Sequence, residues 1–520
     1  MEGCSQMQGE AMSTRYFPGR TVLFEQEQSG VTYRVPALLY IPQSATLLAF
    51  AEERLSPNDA HANLLVLRRG TFYRNYVEWE DMRALETATL DQHRSMNPCP
   101  VYDEFTGTVF LFFIAVLGST PEAFQIITGQ NAARLCYVYS SDEGHNWSSV
   151  TDLTQEVIGS AVKDWATFAL GPGHGIQLKS GRLLVPAYTY HIDCTECFGT
   201  LCRTTPHSFT FYSDDNGHNW RFGEFIPNLR TVECQLVSVN EEDGSNVLYC
   251  NARSPLGYRV QALSTDDGAV FHPGQLVRKL VEPPRGCHGS IVGFPAPLAC
   301  TPAGLPLQEF PPVRQRKLRL LLRELLRSNP PREGIENVTS TSGPLKPLES
   351  RHTKNSENPS SRSCEHGDLE SFQRFSLAKE PRLSGPESIS KPETFFQTPT
   401  WVLYSHPTSA RSRVNMGVYL STFPRDANSW TEPWIIYEGP SGYSDLAYIG
   451  LPFSGVPMVE LPAVAFACLY ENGTKSSYEQ ISFSMFTLYE VMENIPMAPR
   501  SPIRRGREGN KGRFRTCTTS

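Results

Sequence analysis

No run of apolar residues in this sequence is long enough to cross a membrane as a helix. The longest, Val109–Leu117, falls far short of the ~20 residues that a spanning helix needs. The first thirteen residues are polar, so no secretory signal is expected there. An excess of positive charge is also missing. The formal net charge is -7, which implies no general attraction to nucleic acid. Cysteine is present, but its 13 residues form an odd, scattered set without a disulfide framework. Free thiols in a reducing compartment are therefore expected. Cys194, Cys197 and Cys202 lie close together, yet no fourth ligand or second pair follows at zinc spacing, so no metal is expected. The glycines around Gly173 lack the Lys-Ser/Thr and the following helix of a phosphate loop, and no cofactor is expected.

What is present favours strands. Hydrophobic residues make up 40% of the 520 and aromatics 11%, enough for a large core. Short apolar runs alternate with Gly, Pro, Asn and Asp, which predicts an all-β protein. The segment Val31–Asp59 sets the pattern. Val35–Tyr40 and Leu47–Ala51 read as strands joined by a turn at Pro42–Ser44. Such a pair brings Arg34, Glu52, Arg54 and Asp59 to one rim. Asn63–Arg68 reads as another strand. Arg94–Pro100 reads as a loop, since Pro98 and Pro100 exclude helix. Trp165–Gly175 reads as a Gly-rich connection. Tyr188 and Tyr190 share one face of a strand. Glu233 is the lone acid in the apolar run Thr231–Val237.

One motif recurs. Ser140–Trp147, Ser213–Trp220 and Ser264–Phe271 share the pattern Ser-x-Asp-x-Gly-x-x-aromatic, each after a strand-like run. The Asp accepts turn amides, the Gly takes a positive φ, and the aromatic packs back under the strand. Three copies at roughly 50–70-residue intervals indicate a repeated four-stranded unit and hence a β-propeller. Between about Thr301 and Thr398 the composition turns to Pro, Ser, Glu, Arg and Lys, which predicts a largely disordered insertion between blades. Residues 1–19 and 498–520 are expected to be tails, with the propeller in 20–300 and 399–497.

Five motifs lie far apart in the chain: Tyr33-Arg34-Val35-Pro36, the three Asp-box turns, Asn251-Ala252-Arg253-Ser254, Arg413-Val414-Asn415-Met416-Gly417 and Gly442-Tyr443-Ser444-Asp445-Leu446. Together they resemble an animal sialidase over about Arg20–Cys300 and Thr400–Met492. The wording is most similar to the sialidase-3 branch, the membrane-associated ganglioside sialidases. The resemblance implies a six-bladed propeller with its site at the centre, and a retaining exo-α-sialidase acting through a tyrosine nucleophile. It implies that Arg34, Arg253 and Arg413 clamp the sialic acid carboxylate, a role suited to the planar, permanently charged guanidinium fork. Glu52 would orient one arginine by an ion pair. Asp59 matches the acid/base, Tyr443 the nucleophile and Glu233 its base. A carboxylate nucleophile would be repelled by the substrate's own carboxylate. A phenol avoids this, but its pKa of about 10 demands a neighbouring base. Arg54, Met96, Asn97, Tyr188 and Tyr190 match positions lining the sugar pocket. The implied partners are gangliosides, sialylated oligosaccharides and glycoproteins. The alternatives are a non-catalytic propeller that binds sialylated glycans, and a glycosidase using Asp59 and Glu233 as its two carboxylates. The latter leaves three arginines unexplained.

Within the insertion, Arg314–Arg327 lies between Pro311–Pro312 and Pro330–Pro331. As a helix it places Leu318, Leu321, Leu322 and Leu325 on one face and Arg316, Arg319, Arg323 and Arg327 on the other. That layout suits peripheral contact with an anionic membrane surface, and equally a helix that packs on the propeller or binds a protein partner. The resemblance implies a peripheral protein of the plasma membrane and endosomal membranes.

Overall fold

A computed structural model of the chain describes residues 15–73, 76–194, 202–241, 243–297, 398–450 and 464–496. Strands dominate, and every pairing between them is antiparallel. Among the described residues they form one seven-stranded, two four-stranded and two five-stranded sheets. The arrangement is propeller-like: the sheets are built mainly of consecutive antiparallel strands, and most of the hydrophobic clusters are shared between neighbouring sheets. Phe50 and Leu67 of one sheet, for example, meet Leu111, Phe113 and Val138 of the next in one cluster. Strands pressed between two sheets must be apolar on both faces, which is why Thr32–Ile41 and Thr108–Leu117 read as continuous hydrophobic runs.

The seven-stranded sheet hinges on one long strand, Trp434–Ile449. Its first part pairs with Val414–Ser421 and its second with Ala465–Asn472. The same sheet holds the first and the last strand among the described residues. Arg20–Glu25 pairs with Gln480–Thr487, which joins the first strand to the last.

The three repeated turns form as expected. In the first, Ser140 Oγ accepts Gly144 N–H (2.8 Å) and donates to Asp142 Oδ1 (2.8 Å), which also accepts Asn146 N–H (2.8 Å). The same bonds recur around Ser213 and Ser264. Gly144, Gly217 and Gly268 have φ of 83°, 85° and 87°, the region glycine tolerates at no steric cost. Trp147 and Trp220 donate their indole N–H to the turn glycine's carbonyl, while Phe271 fills that place by packing alone.

Three expectations need correction. Arg94–Pro100 is not a loop but part of the strand His93–Asp103. Its register jumps between Met96 and Cys99, and the strand lies at the end of its sheet, so the prolines sit at a bulge and on an edge where no ladder N–H is lost. Trp165–Gly175 likewise contains a strand, Trp165–Leu170, before the glycines begin. And Cys202 is disulfide-bonded, against the expectation of free thiols throughout. Cys99, Cys136, Cys234, Cys250, Cys287 and Cys468 are buried thiols. The expected insertion from residue 301, the basic helix Arg314–Arg327 and the C-terminal tail lie outside the described residues, apart from Thr398. The two flanks of the insertion are nonetheless adjacent. Ser290–Pro295 pairs with Thr400–Pro407, and Ala296 N–H bonds Pro399 O at 2.9 Å. The segment is thus the connection of one hairpin.

Candidate active site

The inner strands bring their site residues to one end of the sheets. There a cavity of about 570 Å³ is lined by Arg34, Glu52, Arg54, Asp59, Met96, Asn97, Tyr188, Tyr190, Glu233, Arg253, Arg413 and Tyr443. All twelve residues singled out from the sequence therefore share one cleft. Bulges aim several of them. Val35, Asn97 and Asn415 have positive φ (56°, 55° and 60°) beside register jumps in their strands. A β-branched valine in this region is strained, and such strain persists only where surrounding contacts hold it. Here Val35 N–H is held by Glu471 Oε1 at 2.9 Å.

Glu471 was missed in the sequence, and it organises this half of the site. Fully buried, it accepts Arg34 Nε at 2.6 Å and Nη2 at 3.4 Å, and it also accepts Tyr443 N–H at 2.9 Å. Arg34 also lies over the Tyr478 ring, 3.7 Å from its centroid. Glu52 plays the corresponding part for Arg54, at 2.8 Å from Nε and 2.6 Å from Nη2, and accepts Asn97 N–H at 2.6 Å. The arginine that Glu52 orients is therefore Arg54, outside the expected clamp of three. The second guanidinium edge of Arg54 donates to Asp59. Asp59 opens a single helical turn capped by the Asn58 side chain, with its own carboxylate 67% exposed. Enclosure in the cleft works to raise the Asp59 carboxyl. Arg54, then Arg34 and Arg413, outweigh it and hold the group below the ordinary value.

Tyr443 is 8% exposed, its ring packed with Val35 and Cys287. Its hydroxyl donates to Glu233 Oε1, while Arg253 Nη1 reaches the same hydroxyl at 3.0 Å and Glu233 Oε2 at 2.5 Å. Burial pushes the phenol well above its usual pKa, Glu233 adds to the effect, and Arg253 and Arg413 only partly oppose it. The phenol is thus protonated at neutral pH, with a carboxylate already in place to take the proton. Arg253 and Arg413 are held from behind by the carbonyls of Arg285 and Gly286. The Arg34 and Arg413 side chains lie 5.7 and 5.3 Å from the Tyr443 ring centroid. Three guanidinium groups thus surround one phenol, an arrangement suited to an anion beside a nucleophile.

The far wall carries Tyr188 and Tyr190, whose ring centroids are 6.3 Å apart. Tyr188 donates to Glu122 at 3.2 Å. Glu122 and the buried Arg94 also line the cleft. The sequence carried no pattern for either. Glu122 stands on the seven-residue helix Glu122–Thr128, too short to show a periodicity. Among the described residues no cluster of three or more His, Cys, Asp or Glu could hold a metal ion.

Residues 45–286 match a family described as a BNR repeat-like domain. Sialidase-4 of Mus musculus is 55% identical over 479 residues, covering 92% of this chain and 95% of its own. Sialidase-3 of Homo sapiens is 43% identical over 484 residues, covering 93% and 95%. The branch expected from motif wording is therefore displaced by one with higher identity. Among solved structures, the intramolecular trans-sialidase from Ruminococcus gnavus superposes with a TM-score of 0.55 at 15% identity, covering 90% of this chain and 98% of that one. The Hadza microbial sialidase Hz136 does so at 0.58 and 18%, covering 91% and 69%. Likenesses this distant in sequence speak to fold alone.

Proposed function

The chain belongs to the animal sialidases, a family of glycoside hydrolases, and on that premise we propose that it is a retaining exo-α-sialidase working through Tyr443. The observation that carries this reading is the buried contact of the Tyr443 hydroxyl with Glu233 inside a ring of three arginines. Arg34, Arg253 and Arg413 grip the carboxylate of a terminal sialic acid. Asp59 protonates the glycosidic oxygen as the C2–O bond breaks. The Tyr443 oxygen attacks C2 while Glu233 takes the phenolic proton. Asp59, now ionised, draws a proton from water, which displaces Tyr443, and Glu233 returns the proton to it. A six-bladed propeller frames the site if the seven-stranded sheet is counted as two blades sharing Trp434–Ile449, a reading supported by its two separate pairing partners. The fluorogenic test is direct: purified protein should release the aglycone from an aryl sialoside. NMR of the first product should show the α anomer, and a β anomer would exclude retention.

Asp59→Ala should lower turnover of natural sialosides by roughly 10²–10⁴-fold. Aryl sialosides, whose leaving group needs little protonation, should lose far less. The pH dependence has a fixed sign. Asp59 sits below its ordinary pKa in the free protein, so its protonated fraction falls as pH rises from acid to neutral. Activity on natural substrates should fall with it, whereas aryl sialosides, which need little protonation, should show much less of that limb. Equal losses on both substrate classes would remove Asp59 from the acid role.

Arg413→Lys keeps the charge and loses the fork. One ammonium cannot both hold Gly286 O and meet a carboxylate in plane, so KM should rise roughly 10–100-fold. An unchanged KM would place the carboxylate elsewhere.

Gangliosides, reached by peripheral contact with an anionic membrane, are the substrate class we favour. No helix among the described residues is long and apolar enough to cross a membrane. Because the ends of the insertion meet as a hairpin, deleting 304–391 should leave hydrolysis of a soluble sialoside intact. It should also weaken binding to anionic vesicles, more visibly at low salt, where basic residues are least screened. Unweakened binding would remove that segment as the main anchor.

A further inference from the structure

The helix Glu122–Thr128 is built inside out. Its one buried side chain is polar: Gln125 is 2% exposed and accepts Ala132 N–H at 2.7 Å, while Glu122, exposed at the mouth, accepts from Tyr188 in the cleft. Ile126 is half-buried, but two large apolar residues face outward, Phe124 and Ile127, each 47% exposed. Three residues apart, the two lie on one face of the helix. A surface helix ordinarily turns its apolar face to the core. Loops and a strand end around the same mouth repeat the anomaly. Leu55, Leu117 and Leu256 are exposed large hydrophobics, each next in sequence to a residue lining the cleft. All three are fixed rather than loose. Leu55 N–H bonds His61 O at 2.9 Å, Leu117 N–H bonds Ala132 O at 3.1 Å, and Leu256 N–H bonds Ser254 Oγ at 3.0 Å. Arg230 and Arg285 stand exposed at the same mouth.

Apolar side chains held outward, with cations among them, form a surface that gains by leaving water. We infer that the rim of the catalytic mouth is itself a lipid-docking face. Phe124, Ile127 and the three leucines enter the interfacial layer, and Arg230 and Arg285 meet anionic headgroups. This places the cleft against the surface that bears the substrate and goes beyond any anchoring by the insertion. It rests on the membrane reading above, which a separate outcome tests.

The experiment uses the full chain and vesicles of phosphatidylcholine and phosphatidylserine without ganglioside, so binding is read apart from catalysis. The Phe124→Ser/Ile127→Ser double variant should lose at least about tenfold in vesicle partitioning, with kcat and KM on a soluble aryl sialoside unchanged. Phe124→Trp supplies a second readout that does not depend on the fate of the double variant. Its emission, compared with that of the wild-type chain, should shift to the blue on vesicle addition and be quenched by lipids brominated on the acyl chain. A wild-type chain that ignores the vesicles overturns the membrane reading and this face with it. Wild-type binding matched by the double variant, or a Phe124→Trp variant that binds without spectral change, overturns the face alone. The outward residues would then await a protein partner instead.

Discussion

Tyr443→Phe is expected to abolish turnover, by on the order of 10³-fold or more, in a protein that still folds. The ring keeps its packing against Val35 and Cys287, and the backbone N–H keeps its bond to Glu471. The lost hydroxyl leaves one oxygen of Glu233 without its donor, at a cost of about 1–3 kcal/mol. The other oxygen stays paired with Arg253 at 2.5 Å. Thermal melting recorded beside kcat separates the two effects. A folded variant with near-normal turnover would remove Tyr443 from the chemistry.

The second large effect is expected at Glu471, which touches no substrate in this account. Glu471→Gln removes a buried negative charge that holds Arg34, Val35 N–H and Tyr443 N–H together. Leaving the 5% exposed Arg34 unpaired should destabilise the fold by about 3–5 kcal/mol. KM should rise as well, because the guanidinium loses the partner that sets its angle. A double variant, Arg34→Met/Glu471→Gln, separates these roles. It should recover much of the stability, since no charge remains unpaired, yet stay inactive. If Glu471→Gln alone is stable and active, the carboxylate does not position Arg34.

These two residues also mark how far the sequence could be read. Tyr443 was legible because it stands in a five-residue motif, and the repeated turns because each closes within eight residues. Arg34, Arg253 and Arg413 were legible through local wording, although only the fold brings them around one ring. Glu471 was not, because nothing local distinguishes an acid at the end of an apolar strand from a solvated one. Its role depends on pairing with Arg34, 437 residues earlier. Glu122 was hidden in a helix of two turns. The strand at Arg94–Pro100 was misread because proline rules assume a regular ladder, whereas this strand has a bulge and an open edge. Glu52 was expected to orient one arginine, but the sequence did not say which; the structure pairs it with Arg54. Glu52 and Arg54, two residues apart on a strand, share a face, and the nearer arginine took the carboxylate.

The central claim is that the phenolic oxygen of Tyr443 forms the bond to the sugar. A sialic acid carrying fluorine at C2 and C3 tests it directly, since fluorine at C3 slows breakdown of a glycosyl-enzyme more than it hinders departure of fluoride from C2. Incubation with the full chain, proteolysis and peptide mass spectrometry should find one fluorosialyl group per molecule, on the peptide carrying Tyr443. The same treatment should leave Tyr443→Phe unmodified. The adduct on Asp59 or Glu233, or complete inactivation with no adduct on any residue, would contradict the account.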